Sequence, residues 1–324
     1  MQYLLPIKAG PNDDLQELAR YVADLRTRLP VIVVDGSDPD TFRRNQALFA
    51  GVTHVAPRAD LQCANGKVAG VLTGFTLAAS DKVVIADDDV RYQPAELARL
   101  EQLLEEADVV MPQNYYAPLP WPARWDTART LVNRALPSGD YPGTLGVRLS
   151  ERMRHLGYDG NVLFENLELI RSVIADGGRP MVARDLYVHR LPPTAKHFAG
   201  QRVRQAYDSL AQPGRLAVEL ALLPLALAGA GRGRVLVGLT AGSILTAEVG
   251  RRRAGGASYF PPSASWLAPA WIAERAVCAW VAVARRVAFG GTPYAGRRIS
   301  RAATSVSALR RARARSCGSR RRTA

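Results

Sequence analysis

The stretch KVVIADDDVRY, residues 82–92, joins an apolar run to three consecutive aspartates. Neighbouring carboxylates repel one another, and a strand can end without such a cluster, so we expect these residues to serve a site. On an extended chain alternate side chains point to the same side, which places Asp87 and Asp89 on one face and turns Asp88 away. Two carboxylates on one face suit a hard divalent cation such as Mg²⁺ or Mn²⁺. A solvated turn with a helix-capping aspartate is the alternative.

The sequence on either side of this stretch alternates between two patterns. Short apolar runs are typical of buried strands, and apolar residues at helical spacing are typical of helices. Strands are predicted at 3–7, 31–35, 83–87 and 109–111, with helices between them at 14–29, 42–50, 68–79 and 95–107. This alternation predicts an α/β fold with a mostly parallel sheet covered by helices on both faces. Ligands of such sheets bind beyond the carboxyl ends of the strands, where Asp35 and residues 87–89 lie.

The positive charge of the chain is concentrated at its C-terminal end. The net charge is +14, and beyond residue 250 there are sixteen arginines and a single acidic residue, Glu274. Such a region can bind either nucleic acid or an anionic membrane surface, and charge alone does not choose between them.

Three apolar segments precede the last arginines, at 215–231, 234–250 and 266–289. Each of the first two is shorter than the roughly 20 residues that a spanning helix needs, and a re-entrant or in-plane hairpin keeps the arginines between them out of the bilayer centre. In the third segment four charged residues share one helical face, opposite Trp280 and Val287: Glu274, Arg275, Arg285 and Arg286. We therefore expect membrane-associated helices, the third of them interfacial. A set of buried helices with a charged edge is the alternative.

Five short segments follow one another along the chain: VIVVDGSDPD (31–40), NGKVAGVL (65–72), IADDDV (85–90), FENLEL (164–169) and QRVRQAY (201–207). In that order they resemble the V-V-D-D-G-S, N-x-K, D-x-D, E-D and Q-x-x-R-W motifs of family 2 glycosyltransferases. The agreement covers residues 1–230, about two-thirds of the chain. The basic, apolar C-terminal part also resembles the membrane-associated region of ceramide-glucosyltransferase-like members. The resemblance implies the GT-A type fold of nucleotide-diphospho-sugar transferases.

The resemblance also implies donor and metal ligands in the first three segments. Asp35 would contact the nucleotide base or ribose, and Lys67 would lie near the donor. Asp87 and Asp88 would bind the donor, and Asp89 together with Asp87 would bind the divalent metal. The metal would neutralise the departing diphosphate, which is the main electrostatic demand of the transition state.

The last segment would carry residues that close over the donor. Gln201 and Arg204 are spaced i,i+3, so they share one face of a helix. The resemblance implies that they close over the diphosphate or the acceptor channel. Arginine suits this role because its planar guanidinium pairs with two phosphate oxygens at once.

The catalytic base is the position at which the chain departs from the family. Where family members have the aspartate that takes the acceptor proton, this chain has Asn166, an amide that cannot act as a base. We expect Glu165 to be the base, with Glu168 as the second choice. Asp140 and Asp159 are further carboxylates if neither serves.

The resemblance implies an inverting, metal-dependent hexosyltransferase. Residues 1–210 would form the GT-A catalytic domain, residues 211–292 the membrane-associated helices, and residues 293–324 a disordered arginine-rich tail. The N-terminus lacks the basic and apolar regions of a secretory signal, so we expect the catalytic domain at the cytoplasmic face of a cell membrane, the inner membrane of a bacterium. The donor would be a nucleotide sugar, with uridine as the family's commoner nucleotide, and the acceptor a lipid or lipid-linked glycan. We do not expect nucleic acid as a partner.

Three other functions agree with parts of the sequence. A nucleotidyltransferase that makes sugar nucleotides needs a Gly-rich, basic loop after its first strand, and PIKAGPNDD (6–14) is a poor version of one. A processive polysaccharide synthase usually has several spanning helices and a Trp where this chain has Gln205. A non-catalytic, membrane-bound scaffold that keeps the fold is favoured by Asn166 and Gln205.

Overall fold

In the computed structural model the chain forms two units, and the structure describes residues 1–294 and 296–320, with side chains up to Arg315. Unit 1 comprises Met1–Met111, Gly143–Met181 and the chain from Thr304 onward, and unit 2 comprises Pro112–Pro142 and Val182–Ala303. This division differs from the three consecutive segments predicted from the sequence, because the chain leaves unit 1 and returns to it twice.

The strands are, in chain order, β1 (Gln2–Ile7), β2 (Val31–Asp35), β3 (Thr53–Val55), β4 (Lys82–Ala86), β5 (Val90–Arg91), β6 (Val109–Tyr116), β7 (Thr144–Arg148), β8 (Pro180–Arg190), β9 (Thr292–Tyr294) and β10 (Arg297–Ile299). The helices are α1 (Gln16–Leu25), α2 (Pro39–Leu48), α3 (Gly66–Leu77), α4 (Pro94–Glu106), α5 (Trp121–Ala135), α6 (Glu151–Leu156), α7 (Glu165–Ala175), α8 (Ala195–Tyr207), α9 (Pro213–Ala228), α10 (Gly233–Arg252), α11 (Pro262–Ser265), α12 (Ala268–Phe289) and α13 (Val306–Arg320). β6 and β8 begin in unit 1 and continue into unit 2.

Six strands of an eight-stranded sheet follow one another in the order β3-β2-β1-β4-β7-β6, and the first five of them lie wholly in unit 1. The first four of these strands run parallel, and β7 runs antiparallel to β4 and β6. Leu4, Val33 and Val84 are fully buried, as expected for central strands that helices cover. The predicted α/β fold, a mostly parallel sheet flanked by helices, is confirmed.

Helix α3 lies against β1 because two glycines allow a close approach. A Cβ at Gly70 would be 3.0 Å from Pro6 Cβ, and one at Gly74 would be 2.2 Å from Leu4 Cδ1. The earlier glycine therefore lies over the later residue of β1, so α3 runs antiparallel to the strand. Its first residues consequently lie at the carboxyl edge of the parallel strands.

The three aspartates lie in a turn between β4 and β5 and not on an extended strand. β4 ends at Ala86, one residue before the predicted end, and the backbone N–H of Val90 donates to the Asp87 carbonyl at 3.1 Å. Asp88 is exposed, whereas Asp87 and Asp89 are half-buried. Asp88 therefore differs in exposure from Asp87 and Asp89, as predicted. The cause is a turn, whereas the prediction assumed an extended strand.

The arginine-rich end of the chain contains ordered elements where a disordered tail was predicted. β9 and β10 pair antiparallel in unit 2, and α13 packs against α7 in unit 1. The arginines find partners: Arg313 lies 3.1 Å from Asp176. Residue 295 and residues 321–324 of the predicted tail lie outside the described residues.

Unit 2 is mainly helical, with a core that includes Leu131, Tyr187 and Phe260. Arg134 is fully buried beside this core. Its guanidinium donates to Gln113 Oε1 at 2.7 Å and to the Tyr187 hydroxyl at 2.6 Å, which compensates the burial of its charge.

Apolar side chains remain exposed on α9, α10 and α12. Leu227 and Val237 are each 68% exposed, and Val287 is 80% exposed. One helical segment among the described residues, Pro262–Phe289, is long and apolar enough to cross a membrane, a test that core helices of soluble proteins also pass.

The first two charged residues on the polar face of α12, Glu274 and Arg275, are covered by other parts of unit 2, whereas Arg286 on the same face is exposed. Glu274 Oε2 accepts from Trp125 Nε1 at 2.5 Å, and Arg275 is buried. Trp280 and Val287 are exposed on the other side. The sequence predicted an interfacial helix, and the contact of this helix with a membrane stays a prediction.

Candidate active site

Lys67 joins two carboxylates at the carboxyl edge of the sheet. Its Nζ lies 2.5 Å from Asp87 Oδ1 and 2.9 Å from Glu165 Oε1. Asp87 follows β4, Lys67 lies in the first turn of α3, and Glu165 is the first residue of α7. Three segments that the sequence singled out therefore meet at one ammonium group.

Asn65 fastens the loop before α7 to the start of α3. Its backbone N–H donates to the Gly160 carbonyl at 2.9 Å, and its Nδ2 donates to the Val162 carbonyl at 3.3 Å. Its Oδ1 caps α3 by accepting from the Lys67 backbone N–H. Because Lys67 and Glu165 lie just beyond these contacts, Asn65 places their side chains together.

Gly160 is needed in this loop for steric reasons. A Cβ at this position would lie 2.3 Å from the Sγ of Cys63 and 2.7 Å from its Cβ. The two segments therefore approach closely, which brings the start of α7 near α3.

The charges at Lys67 keep its ammonium protonated. Burial alone would lower the pKa of Lys67, but the negative charges of Asp87 and Glu165 and their hydrogen bonds outweigh it, so the pKa is raised. The side chains of Lys67, Asp87 and Glu165 are only 20%, 23% and 14% exposed. One cation among two carboxylates leaves a negative site with partial access to solvent.

Asp35 lies at the same edge, one strand away, and is held by three neighbours. Its Oδ1 accepts from the Ser37 backbone N–H at 2.9 Å, and its Oδ2 accepts from Asn45 Nδ2 at 2.8 Å and lies 3.2 Å from His54 Nε2. Burial raises the pKa of Asp35, but these hydrogen bonds outweigh it and lower the pKa to about 2. His54 is itself stacked on Phe42, with 4.5 Å between the ring centres.

Asn45 and His54 are partners that the sequence reading missed. Their positions in the sequence could have indicated the contact with Asp35. Asn45 lies on α2, the helix that follows Asp35, and His54 lies in β3, where it pairs with Val33 of β2. With both of its carboxylate oxygens engaged, Asp35 is rigidly placed. Its contact with a nucleotide stays a prediction.

The residues present fit a divalent cation that arrives together with a diphosphate. Within the ranges that the structure describes, no three His, Cys, Asp or Glu residues are grouped to hold a metal by themselves. Protein-bound Mg²⁺ commonly uses one or two carboxylates and takes its other ligands from phosphates and water. Asp87 and Asp89 lie on one turn and are half-buried, and Asp87 is also bonded to Lys67. Their predicted role as metal ligands stays a prediction.

The other three candidate carboxylates, Glu168, Asp159 and Asp140, each accept hydrogen bonds from neighbouring protein groups. Glu168 is fully buried and accepts from the backbone N–H of Thr304 at 2.5 Å. Asp159 accepts from the backbone N–H of Asn161 at 2.8 Å. In unit 2, Asp140 accepts from three side chains: Arg129, Thr130 and Asn133.

Gln201 and Arg204 belong to unit 2, on α8. Gln201 Nε2 lies 3.1 Å from His197 Nε2, and the Arg204 guanidinium lies 5.1 Å above the ring centre of Tyr294. Their predicted contacts with a donor or acceptor therefore stay predictions.

Comparison with known proteins gives matches to solved structures only, since no protein-family model and no curated protein matches the sequence. The structure is similar to that of a mannosyltransferase from Pyrobaculum calidifontis in complex with GDP-Man and Mn²⁺, with a TM-score of 0.50, 20% identity, and 86% of each chain covered. Glucosyl-3-phosphoglycerate synthase from Mycobacterium tuberculosis in complex with phosphoglyceric acid matches with a TM-score of 0.43, 15% identity, and 65% of this chain and 78% of that chain covered. The same synthase with Mn²⁺, UDP-glucose and phosphoglyceric acid matches with a TM-score of 0.41, 16% identity, and 63% and 76% covered.

At these identities the similarity concerns the path of the chain and not the individual site residues. GDP-Man and Mn²⁺ are ligands of that mannosyltransferase, and the divalent metal cofactor of this chain stays a prediction. The mostly parallel sheet with flanking helices is shared with that enzyme over most of both chains, and the chain has the GT-A type fold.

Proposed function

We propose that the protein is an inverting hexosyltransferase, family 2-like, that moves a sugar from a nucleotide-diphosphate donor to a lipid or lipid-linked acceptor at the cytoplasmic face of a membrane. The observation that carries this proposal is the ion pairing of Lys67 with both Asp87 and Glu165. These residues come from the N-x-K, D-x-D and E-D-like segments, which are far apart in sequence. Ligands of open α/β sheets bind at the carboxyl ends of the strands, so the meeting of these three residues there supports a donor site.

The donor would lie at this edge, beyond β2 and β4. Asp89 and Asp87 would hold a divalent cation, which would neutralise the charge of the departing diphosphate. Lys67 would supply a second positive charge to the same phosphates, since its ammonium already lies beside Asp87. Asp88 and Asp35 would bind the remaining parts of the nucleotide.

Glu165 would act as the base. As the acceptor oxygen attacks the anomeric carbon, Glu165 would take the hydroxyl proton, and the bond between that carbon and the diphosphate oxygen would break. The nucleoside diphosphate leaves from the opposite side, so the configuration is inverted without a covalent intermediate. Lys67 engages Glu165 Oε1, so the other carboxylate oxygen would take the proton.

A membrane-associated acceptor is supported by the surface of unit 2. Leu227, Val237 and Val287 are large apolar side chains that remain exposed on three different helices. Contact with a membrane would remove these side chains from water, which is favourable for apolar surface. Exposed arginines of unit 2, among them Arg286, Arg297 and Arg298, would add attraction to anionic lipids.

Calorimetric titration with a panel of nucleotide sugars, each with and without Mn²⁺, tests the donor site. We expect one donor to bind in a Mn²⁺-dependent manner, and Asp89→Asn to abolish that binding. The control is Asp60→Asn, which removes the same charge from an exposed aspartate paired with Arg58. Absence of binding across the whole panel by folded wild-type protein would overturn the proposal.

A non-catalytic scaffold is the second candidate, and Asn166 favours it because an amide replaces the family's base. The two functions differ in turnover. An active enzyme releases nucleoside diphosphate from the bound donor, whereas a scaffold binds the donor without releasing it.

A further inference from the structure

The chain returns to unit 1 at Thr304 and contacts α7, the helix that begins with Glu165. The backbone N–H of Thr304 donates to Glu168 Oε2 at 2.5 Å. In the opposite direction, Arg171 Nη1 donates to the Thr304 carbonyl at 3.1 Å. Thr304 is thus bonded through both of its backbone groups to the first two turns of α7.

The same C-terminal segment also contacts the far end of α7. Arg313 Nη1 donates to the Ser172 carbonyl at 2.7 Å and lies 3.1 Å from Asp176 Oδ1. Arg310 Nη2 lies 3.5 Å from the Ile174 carbonyl. The last carbonyls of a helix have no partner within it, and a cation beside them is favourable. Residues 304–315 therefore hold both ends of one helix.

Glu168 is suited to this attachment and poorly placed to act on a substrate. Its side chain has no exposed surface, so a substrate hydroxyl cannot reach it in this structure. Burial raises the pKa of Glu168, and its hydrogen bonds with Thr304 act in the opposite direction. Within the part of the chain that the structure describes, its Oε1 has no hydrogen-bond partner. Losing the Thr304 contact as well would leave the buried carboxyl group uncompensated.

We propose that Glu168 is a positioning residue, and that residues 304–315 form a strap that holds α7 so that Glu165 meets Lys67. Glu165 and Glu168 lie one helical turn apart on α7. A shift of the helix at Glu168 therefore moves Glu165 by a similar distance. The proposal rests on the proposed function in one respect, the role of Glu165 as base; the attachment of the strap to α7 stands independently of it.

Hydrogen exchange of the α7 amides in the full-length protein tests the attachment, and three variants are informative. Glu168→Ala and Arg313→Ala each remove one anchor, at opposite ends of the helix. Glu168→Gln keeps an oxygen that can accept from Thr304. Arg311→Ala is the matched control, since it removes the same charge as Arg313→Ala from an exposed neighbour on α13.

We expect the exchange of α7 amides to rise about tenfold in Glu168→Ala and Arg313→Ala, and to stay near the wild-type rate in Glu168→Gln and Arg311→Ala. Equal α7 exchange in Arg313→Ala, Glu168→Ala and Arg311→Ala would overturn the strap. Because Arg313 is partly exposed, its variant stays informative if Glu168→Ala fails to fold.

Turnover then separates positioning from catalysis. With the donor found by calorimetry and water as acceptor, we expect both anchor variants to lower kcat while the donor Kd changes less than about twofold, and Glu168→Gln to keep its turnover. Loss of turnover in Glu168→Gln with α7 exchange unchanged would make Glu168 the base and overturn its positioning role. If the wild-type protein binds the donor but never releases nucleoside diphosphate, the proposed function is wrong. The hydrogen-exchange rates of α7 would still show whether residues 304–315 hold this helix.

Discussion

Lys67 and Glu165, 98 residues apart in sequence, form an ion pair of 2.9 Å. The same ammonium lies 2.5 Å from Asp87. The positive charge at this edge of the sheet is therefore shared between the candidate base and the first carboxylate of the aspartate cluster. A bound diphosphate would compete with both carboxylates for it.

Removal of the Lys67 ammonium should destabilise this edge of unit 1. In Lys67→Met two half-buried carboxylates lose their common partner, and we expect the opening free energy of α3 and α7 to fall by about 1–3 kcal/mol, less than for a fully buried pair. Hydrogen exchange of the α3 and α7 amides measures this opening free energy. The control is Lys82→Met, which breaks a pair with the exposed Glu105 and should change stability by no more than about 1 kcal/mol. Equal effects of the two substitutions would contradict the bridging role of Lys67.

The hydrogen bonds of Asp35 should make β2 sensitive to acid. Because the folded-state pKa of about 2 lies below the unfolded value, Asp35 contributes stability that is complete above about pH 4 and is lost as the pH falls toward 2. A shift of this size corresponds to about 2–3 kcal/mol.

Hydrogen exchange of β2 at pH 5 and at pH 2.5, in wild type and Asp35→Asn, measures the Asp35 contribution. We expect the difference in opening free energy between the two proteins to shrink at the lower pH. Asp24→Asn, at an exposed position, is the control and should show a constant small difference. A difference for Asp35→Asn that does not depend on pH would refute the assignment.

Glu165→Gln should separate catalysis from donor binding. Loss of a general base lowers kcat by about 10²–10⁴-fold, whereas the amide still occupies the place of the carboxylate beside Lys67. We expect the donor Kd to change little. The control is Glu106→Gln, at an exposed position at the end of α4. Turnover of Glu165→Gln at the wild-type rate would exclude Glu165 as the base.

Gly160→Ala should disturb the site although the residue contacts no ligand. The new methyl group would lie 2.3 Å from Cys63 Sγ, so the loop before α7 has to move away from α3. Overpacking of this kind costs about 1–3 kcal/mol. Calorimetry should show weaker donor binding, and hydrogen exchange should show faster opening of α7. Gly66→Ala, where a Cβ meets nothing within 4 Å, is the control; if both variants behave alike, the close approach is irrelevant to the site.

The exposed apolar surface of unit 2 should bind membranes. Leu227→Glu and Val287→Glu place a charge on side chains that are 68% and 80% exposed, so folding should be unaffected. Each should weaken co-sedimentation with vesicles of phosphatidylcholine and phosphatidylserine by about tenfold, the effect of losing one buried large aliphatic contact. Gln102→Glu, which adds the same charge at an exposed position of unit 1, should bind as wild type does. If both unit 2 variants bind the vesicles as wild type does, the membrane contact lies at other residues.

The sequence alone was sufficient for the fold class and for part of the candidate site. Apolar runs that alternate with helical spacing predicted the strands β1, β2 and β4 to within a residue or two, because periodicity is a local property of the chain. The carboxyl ends of parallel strands meet at one edge, so Asp35 and Asp87 could be placed there before any contact was known.

Only the tertiary structure decided which side chains meet. Lys67 pairs with Glu165, and Glu168 with the backbone of Thr304, 136 residues further along. No local pattern encodes such pairings, since they depend on how the chain crosses between units. The same reason explains why α13 was not predicted. Its arginines are typical of a solvated run of charge in the sequence. Arg313 meets the Ser172 carbonyl and the Asp176 carboxylate at the end of α7 only because the chain returns to unit 1.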